Sequence, residues 1–235
     1  MEVEEVRKKL KSLEDRERAL LLQRYFKTGP GEYGEGDIFL GIPVPELRKI
    51  AKRSVSLSRR GVRNLLTSPL HEERLVALLL LIARFRQGDE GERERIYTFY
   101  LNHTRFINNW DLVDLSAGKI IGAFLFDRGR ETLYELARSP SLWERRIAIM
   151  ATSFFIREND FTDTLKLAAL LLLHDEEELL HKAVGWMLRE VGNRHMAAEE
   201  RFLKQHYRAM PRTMLRYAME KFPEVRRQGY LKGTL

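Results

Sequence analysis

The 235-residue sequence contains no cysteine. That absence excludes disulfides, thiolate zinc sites, iron–sulfur clusters and a cysteine nucleophile, and it suits a reducing compartment. Long apolar runs are missing too. The longest, residues 75–83, falls far short of the roughly 20 residues a membrane-spanning helix needs. Met1-Glu2-Val3-Glu4-Glu5 is acidic and has no apolar signal core. A soluble, cytoplasmic protein with no membrane partner is therefore expected. No stretch alternates apolar and polar residues in the manner of a half-buried strand. No Gly-x-Ser-x-Gly elbow is present, and no Gly-Lys-Ser/Thr follows the glycine-rich island between Lys27 and Asp37. That island carries three acids and reads as a turn-rich connector that repels phosphate, not as a phosphate cradle.

Helical periodicity is what remains, and it is pervasive. It predicts helices over residues 3–26, 44–53, 71–86, 92–101, 109–126, 130–137, 141–156, 161–173, 177–191, 197–210 and 212–222. Glycine, proline, asparagine or aspartate marks the breaks. Small residues recur in similar apolar settings at Ala77, Ala117, Ala148, Gly185 and Ala218, with spacings of 40, 31, 37 and 33 residues. A period of about 35 residues suits stacked helical pairs that approach closely at the small residues. The expected fold is all-α: one domain over residues 1–235, a solenoid of stacked HEAT-like repeats with a concave inner face.

Lysine and arginine outnumber aspartate and glutamate by 41 to 34, a formal charge of +7. The excess is modest and favours a polyanionic partner only through local clustering. The three tryptophans are more telling. Trp110 lies in Asn108-Asn109-Trp110-Asp111-Leu112-Val113-Asp114, Trp143 in Trp143-Glu144-Arg145-Arg146, and Trp186 in a segment ending in Arg189. On a helix, Trp110 and Asp114 share a face one turn apart. An indole beside a carboxylate offers a cation both a π surface and a negative charge. Asn108 or Asn109 caps this helix, and Asp111 complements its dipole in the first turn. That role does not extend to Asp114, whose ordinary alternative is a solvated or salt-bridged acid. Trp110 taken alone equally suits a core position.

Metal binding is not expected. His174 and His181 flank an acidic run at a spacing poor for ligation, with a helix start between them. His71, His103, His195 and His206 are scattered. No cofactor is implied. The basic tail from Arg226 to Lys232 reads as a frayed end or a further nucleic-acid contact.

The segment from Asn109 to Asp114 resembles the tryptophan–aspartate motif of the AlkD-type DNA alkylation repair proteins, HEAT-like-repeat alkylpurine DNA glycosylases. Three more blocks resemble that family in the same order: Gly36-Asp37-Ile38-Phe39-Leu40-Gly41-Ile42-Pro43-Val44-Pro45-Glu46-Leu47-Arg48, Leu142-Trp143-Glu144-Arg145-Arg146-Ile147-Ala148 and Lys182-Ala183-Val184-Gly185-Trp186-Met187-Leu188-Arg189-Glu190. The likeness runs roughly from Phe26 to Phe222. It implies a basic groove that binds double-stranded alkylated DNA, and a monomer is the default expectation because a solenoid groove can hold a duplex alone. It also implies Asp114 as the catalytic carboxylate, Trp110 and Trp186 as aromatic walls around the lesion nucleotide, and Arg145 or Arg146 as a backbone contact. The family uses a further aromatic near the N-terminus, for which Tyr25 and Phe26 are the candidates. Arg189, Arg212 and Arg216 are the further candidate phosphate ligands. Two other classes fit the composition: a helical-repeat protein that binds DNA without chemistry, and a protein-interaction scaffold.

Overall fold

A computed structural model describes residues 2–234, the side chains of Leu173 and His174 excepted. Helices dominate. The described residues form no strand, only one isolated parallel bridge between Ile38 and Leu70. The all-α expectation is met. Contacts divide the chain into two compact units, one up to Ser116 and one from Ala117. The boundary falls inside the helical run that begins at Trp110, not in a loop.

The first unit comprises α1 (Val3–Lys11), α2 (Arg16–Tyr25), α3 (Val44–Arg53), α4 (Arg59–Leu66), α5 (His71–Gln87), α6 (Glu90–Leu101) and all but the last residue of α7 (Trp110–Ala117). Where a single helix is expected over residues 3–26, two form. The break at Ser12–Asp15 has a local cause: the Asp15 carboxylate accepts from the Arg18 amide and caps α2. The Asp15 amide in turn donates to the Leu40 carbonyl. Helix α4 escapes the periodicity analysis because it is short and rich in arginine. Ser58 caps it, and Val62, Leu65 and Leu66 are buried on one face. Helix α5 is the core of the unit, and residues 71–82 are all buried. A helix that is apolar all round has no solvent face and must be surrounded by others, here α3, α4 and α6.

The second unit opens with a π-helical turn, Gly118–Gly122, and a short α8 (Ala123–Leu125). It continues through α9 (Glu131–Ala137), α10 (Leu142–Ala151), α11 (Ser153–Arg157), α12 (Thr162–His174), α13 (Glu178–His206), α14 (Arg212–Ala218) and α15 (Glu224–Lys232). The two helices expected over residues 177–191 and 197–210 run together as α13, but the helix breaks at His195, whose φ is −148° and ψ 80°. The ring of His195 caps the second half by accepting from the Ala198 amide at 3.1 Å. The tail forms α15 instead of fraying, with Tyr230 buried against Tyr207 and Phe222.

The recurring small residues are all buried, and one of them marks a close backbone approach. Ala77, Ala117, Ala148 and Ala218 are fully buried. A Cβ on Gly185 would stand 2.5 Å from the Met214 carbonyl and 2.6 Å from the Cβ of Tyr217, so α14 packs directly on the backbone of α13.

Candidate functional site

Helix α7 turns one face inward and one outward. Leu112, Val113, Ser116 and Ala117 are buried, whereas Trp110, Asp111 and Asp114 are half-buried. Trp110 and Asp114 thus sit one turn apart on the partly open side, as their spacing requires. Beneath Asp114 the Tyr100 hydroxyl and Ser116 hydroxyl lie 2.8 Å apart, and Ser116 also donates to the Leu112 carbonyl at 2.6 Å. Burial pushes the Tyr100 phenol up, against the opposing effect of its hydrogen bond with Ser116, and the Asp114 charge adds to the rise. Tyr100 is therefore a neutral prop.

Trp110 heads a column of rings. It stacks on Phe26 at 5.0 Å and 12°, Phe26 on Phe39 at 4.9 Å and 24°, and Phe39 on His71 at 4.3 Å and 23°. Tyr25 meets the edge of Trp110 at 6.1 Å and is 65% exposed. Of the two N-terminal aromatics, Phe26 is the buried support and Tyr25 the one open to a ligand.

At the foot of the column lies a charged cluster that the sequence analysis missed. His71 is 2% exposed and Asp37 3%. The His71 ring bonds Asp37 through Nδ1 at 3.0 Å and Asp111 through Nε2 at 2.8 Å. Arg74 donates to the other Asp37 oxygen at 2.5 Å, and the Asn109 amide to Asp37 at 3.1 Å. Two acids face two bases, so the buried charges balance. Burial opposes charge on His71, but the hydrogen bonds to Asp111 and Asp37 outweigh it and raise its pKa to about 9. Burial likewise works against the Asp37 carboxylate, yet its bonds to His71, Arg74 and Asn109 hold it below the usual range.

The neighbours on α5 are equally committed. The Glu72 carboxylate accepts from the amides of Leu40, Gly41 and Ile42 at 2.9, 2.8 and 3.2 Å. Glu73 pairs with Arg7 at 3.1 Å. The tetrad His71-Glu72-Glu73-Arg74 therefore pins the connector, α1 and α7 to one helix start. Asp37 is not a phosphate-repelling acid, as expected for the glycine-rich island, because its charge is consumed inside. Gly34 permits this fold of the island: a Cβ there would collide with the Phe26 carbonyl. A signal was available in the sequence. Four ionisable residues stand directly ahead of the longest apolar run in the sequence, residues 75–83, and charges in that position are rarely left unpaired.

The remaining candidates lie in the second unit. Trp186 is half-buried on α13 and donates to Glu190 at 3.0 Å. Arg145 is bound to Asp175 and to the carbonyls of Ser139 and Pro140. Arg146 is 5% exposed and donates to the Leu179 carbonyl. Both guanidiniums, expected as backbone contacts, thus face protein partners, and Arg146 is spent as a tie between helices. Arg189 pairs with Glu220 and Glu190. Arg212 is exposed, with one bond to the Leu231 carbonyl at 2.7 Å. Arg216 is exposed with no side-chain partner among the described residues, and so is the most available cation of the five.

The described residues contain no group of three potential metal ligands, and the side chain of His174 lies outside them. His181 bonds the Asp175 carbonyl at 2.7 Å. None of the described helices is long and apolar enough to cross a membrane.

Residues 6–222 match the family model described as DNA alkylation repair enzyme. No curated protein sequence matches. Among solved structures, the chain is similar to a predicted DNA alkylation repair enzyme from Enterococcus faecalis, with a TM-score of 0.67, 18% identity, and coverage of 90% of this chain and 97% of that one. It is also similar to AlkD2 from Streptococcus mutans, with a TM-score of 0.53, 18% identity, and coverage of 94% and 96%. At that identity the structures speak to the fold alone.

Proposed function

The chain belongs to the DNA alkylation repair enzyme family, and from that premise we propose that it is a DNA glycosylase hydrolysing the N-glycosidic bond of cationic alkylpurines, N3-methyladenine and N7-methylguanine, in duplex DNA. The observation that carries this reading is the pairing on α7 of a half-buried indole with a half-buried carboxylate one turn away.

Methylation at those nitrogens leaves the purine with a full positive charge. When the bond from C1′ to the base breaks, its electron pair goes to the base, which departs neutral, and positive charge grows on the sugar. Water adds to C1′ and gives up a proton, leaving an abasic sugar. Such oxocarbenium-like transition states are familiar from glycoside hydrolysis. Asp114 supplies negative charge where the positive charge develops and orients the attacking water. At a separation of about 4 Å and an effective dielectric near 20, the attraction is roughly 4 kcal/mol, on the order of a thousandfold in rate. That suffices for an already labile cationic adduct and not for an intact purine, so lability of the substrate provides part of the selectivity. Trp110, with Tyr25 at its edge, offers a π face to the cationic nucleotide, worth about 0.5–2 kcal/mol, and on the second unit Trp186 offers one to the DNA. Exposed cations, Arg216 first among them, neutralise phosphates and make binding salt-dependent.

The deciding experiment is release of free methylated base from methylated duplex DNA by wild type and Asp114→Asn. Release by wild type with a loss of about a thousandfold in the variant supports the proposal. Equal rates in the two would sink the role of Asp114. No release, with salt-sensitive DNA binding intact, would assign the protein to DNA binding without chemistry.

A further inference from the structure

The residues on either side of Trp110 are tethered to the same buried pair. Asn109 donates to Asp37, and Asp111 bonds His71. Asp37 and His71 are bonded to each other. The Trp110 ring itself rests on the column that ends on the His71 imidazole. Three routes therefore lead from one indole to one histidine: two through neighbouring side chains and one through stacked rings. Closer to Trp110, Asn109 accepts from the Trp110 amide and Asp111 from the Leu112 amide, both at 2.8 Å, so each tether also fixes the first turn of α7.

We propose that His71 is a positioning residue for this site: by bridging Asp37 and Asp111 and closing the ring column, it sets where Trp110, and with it the α7 turn bearing Asp114, faces a bound nucleotide. The proposal rests on the glycosylase reading for its kinetic consequence but not for its structural one. Trp110 is half-buried, and beyond its packing on Phe26 and its contact with Tyr25 it depends on these tethers, since α7 buries only its opposite face. His71 is nowhere near exposure and touches no substrate, so it acts through the residues it holds. Chemistry that depends on sub-ångström placement is sensitive to such supports. Affinity for DNA, which comes from dispersed phosphate contacts, is not.

The test combines kinetics with a probe of Trp110 itself. In a Trp143→Phe, Trp186→Phe background, Trp110 is the sole tryptophan, and its quenching by acrylamide reports how well it is held. The expected result for His71→Gln, with helix content unchanged by circular dichroism, is at least a twofold rise in quenching. In the otherwise wild-type chain, kcat for methylated base release falls tenfold or more while KM for the duplex moves less than threefold. Asp111→Asn, which keeps an acceptor for the imidazole, stays near wild type in both readouts, whereas Asp111→Ala reproduces His71→Gln. A folded His71→Gln protein with unchanged quenching overturns the proposal, as does a loss confined to KM. Should His71→Gln not fold, Asp111→Ala decides, because it leaves His71, Asp37, Arg74 and Asn109 together and removes only the Asp111 bonds to His71 and to the Leu112 amide; unchanged quenching there overturns the proposal. If wild type releases no base, the glycosylase reading fails on its own, and quenching still decides the positioning role.

Discussion

Stability of this protein should fall as pH rises from about 6.5 to 9, and His71→Gln should flatten that fall. His71 titrates near 6.5 when unfolded and at about 9 in the folded protein. The folded state therefore holds a proton that the unfolded state releases across that interval. A folded-state pKa above the unfolded one gives stability that is complete below pH 6.5 and lost as pH climbs through 9. Two and a half units at 1.36 kcal/mol each make this about 3 kcal/mol, a large share of the 5–15 kcal/mol typical of a folded domain. Asp37, whose pKa is depressed, contributes stability above the carboxylate range and changes nothing in this window. Glu199, raised to about 8, adds a slope of the same sign, so the comparison must be a difference between proteins. The assay is urea unfolding of wild type and His71→Gln from about pH 6 to 10, with midpoints read at constant m. The gap between the two proteins should shrink by about 3 kcal/mol from the acid to the alkaline end. Parallel pH profiles would mean that the imidazole is neutral in the native state, and the charge-balanced cluster would have to be abandoned.

Three further outcomes follow from the same structure. Glu199 is 1% exposed, has one oxygen without a partner, and is raised to about 8 by burial and then by Glu200; Glu199→Gln should gain on wild type from about pH 4.5 to 8 by a few kcal/mol and hold the gain above, measured by thermal melts across that range. Gly185→Ala forces a methyl towards the Met214 carbonyl, 2.5 Å away, and should destabilise by roughly 1–3 kcal/mol despite the better helix propensity of alanine, as read by denaturant titration. Arg216→Ala should lower the slope of log K for duplex DNA against log salt by about one contact, whereas Arg146→Ala, which removes a buried tie, should lower the melting temperature and leave that slope unchanged.

The helical class and most element positions were legible in the sequence, because a 3.6-residue period survives wherever one face is buried. The small residues at 77, 117, 148, 185 and 218 were legible as buried positions, and at Gly185 the close approach of the α14 backbone excludes a larger side chain. Helix α4 was not, since its arginines mask an apolar stripe only one and a half turns deep. The break at Asp15 and the long α13 depend on caps and on one residue's dihedral angles, which periodicity does not report. The spacing of Trp110 and Asp114 by itself puts them on one side of α7. The support beneath them could not be read that way. Asp37, His71 and Asp111 lie 34 and 40 residues apart from one another in sequence, and each alone looks like a loop acid, a stray histidine or a helix-dipole complement. The arginines show the reverse error: charge in a sequence does not reveal whether a guanidinium faces solvent or, like Arg146, a carbonyl inside.

The cluster at the foot of the ring column also bears on how the chain comes to be folded. Its bonds join residues 34, 37, 40 and 72 positions apart, whereas helical hairpins are built from near neighbours. Closing such loops carries an entropic cost that local contacts escape, so the helices can form on fast timescales and the cluster only after them. Every member nevertheless precedes residue 117. As synthesis proceeds from the N-terminus, all of its parts leave the ribosome before the second unit exists, and the buried post under Trp110 can be set while half of the chain is still being made.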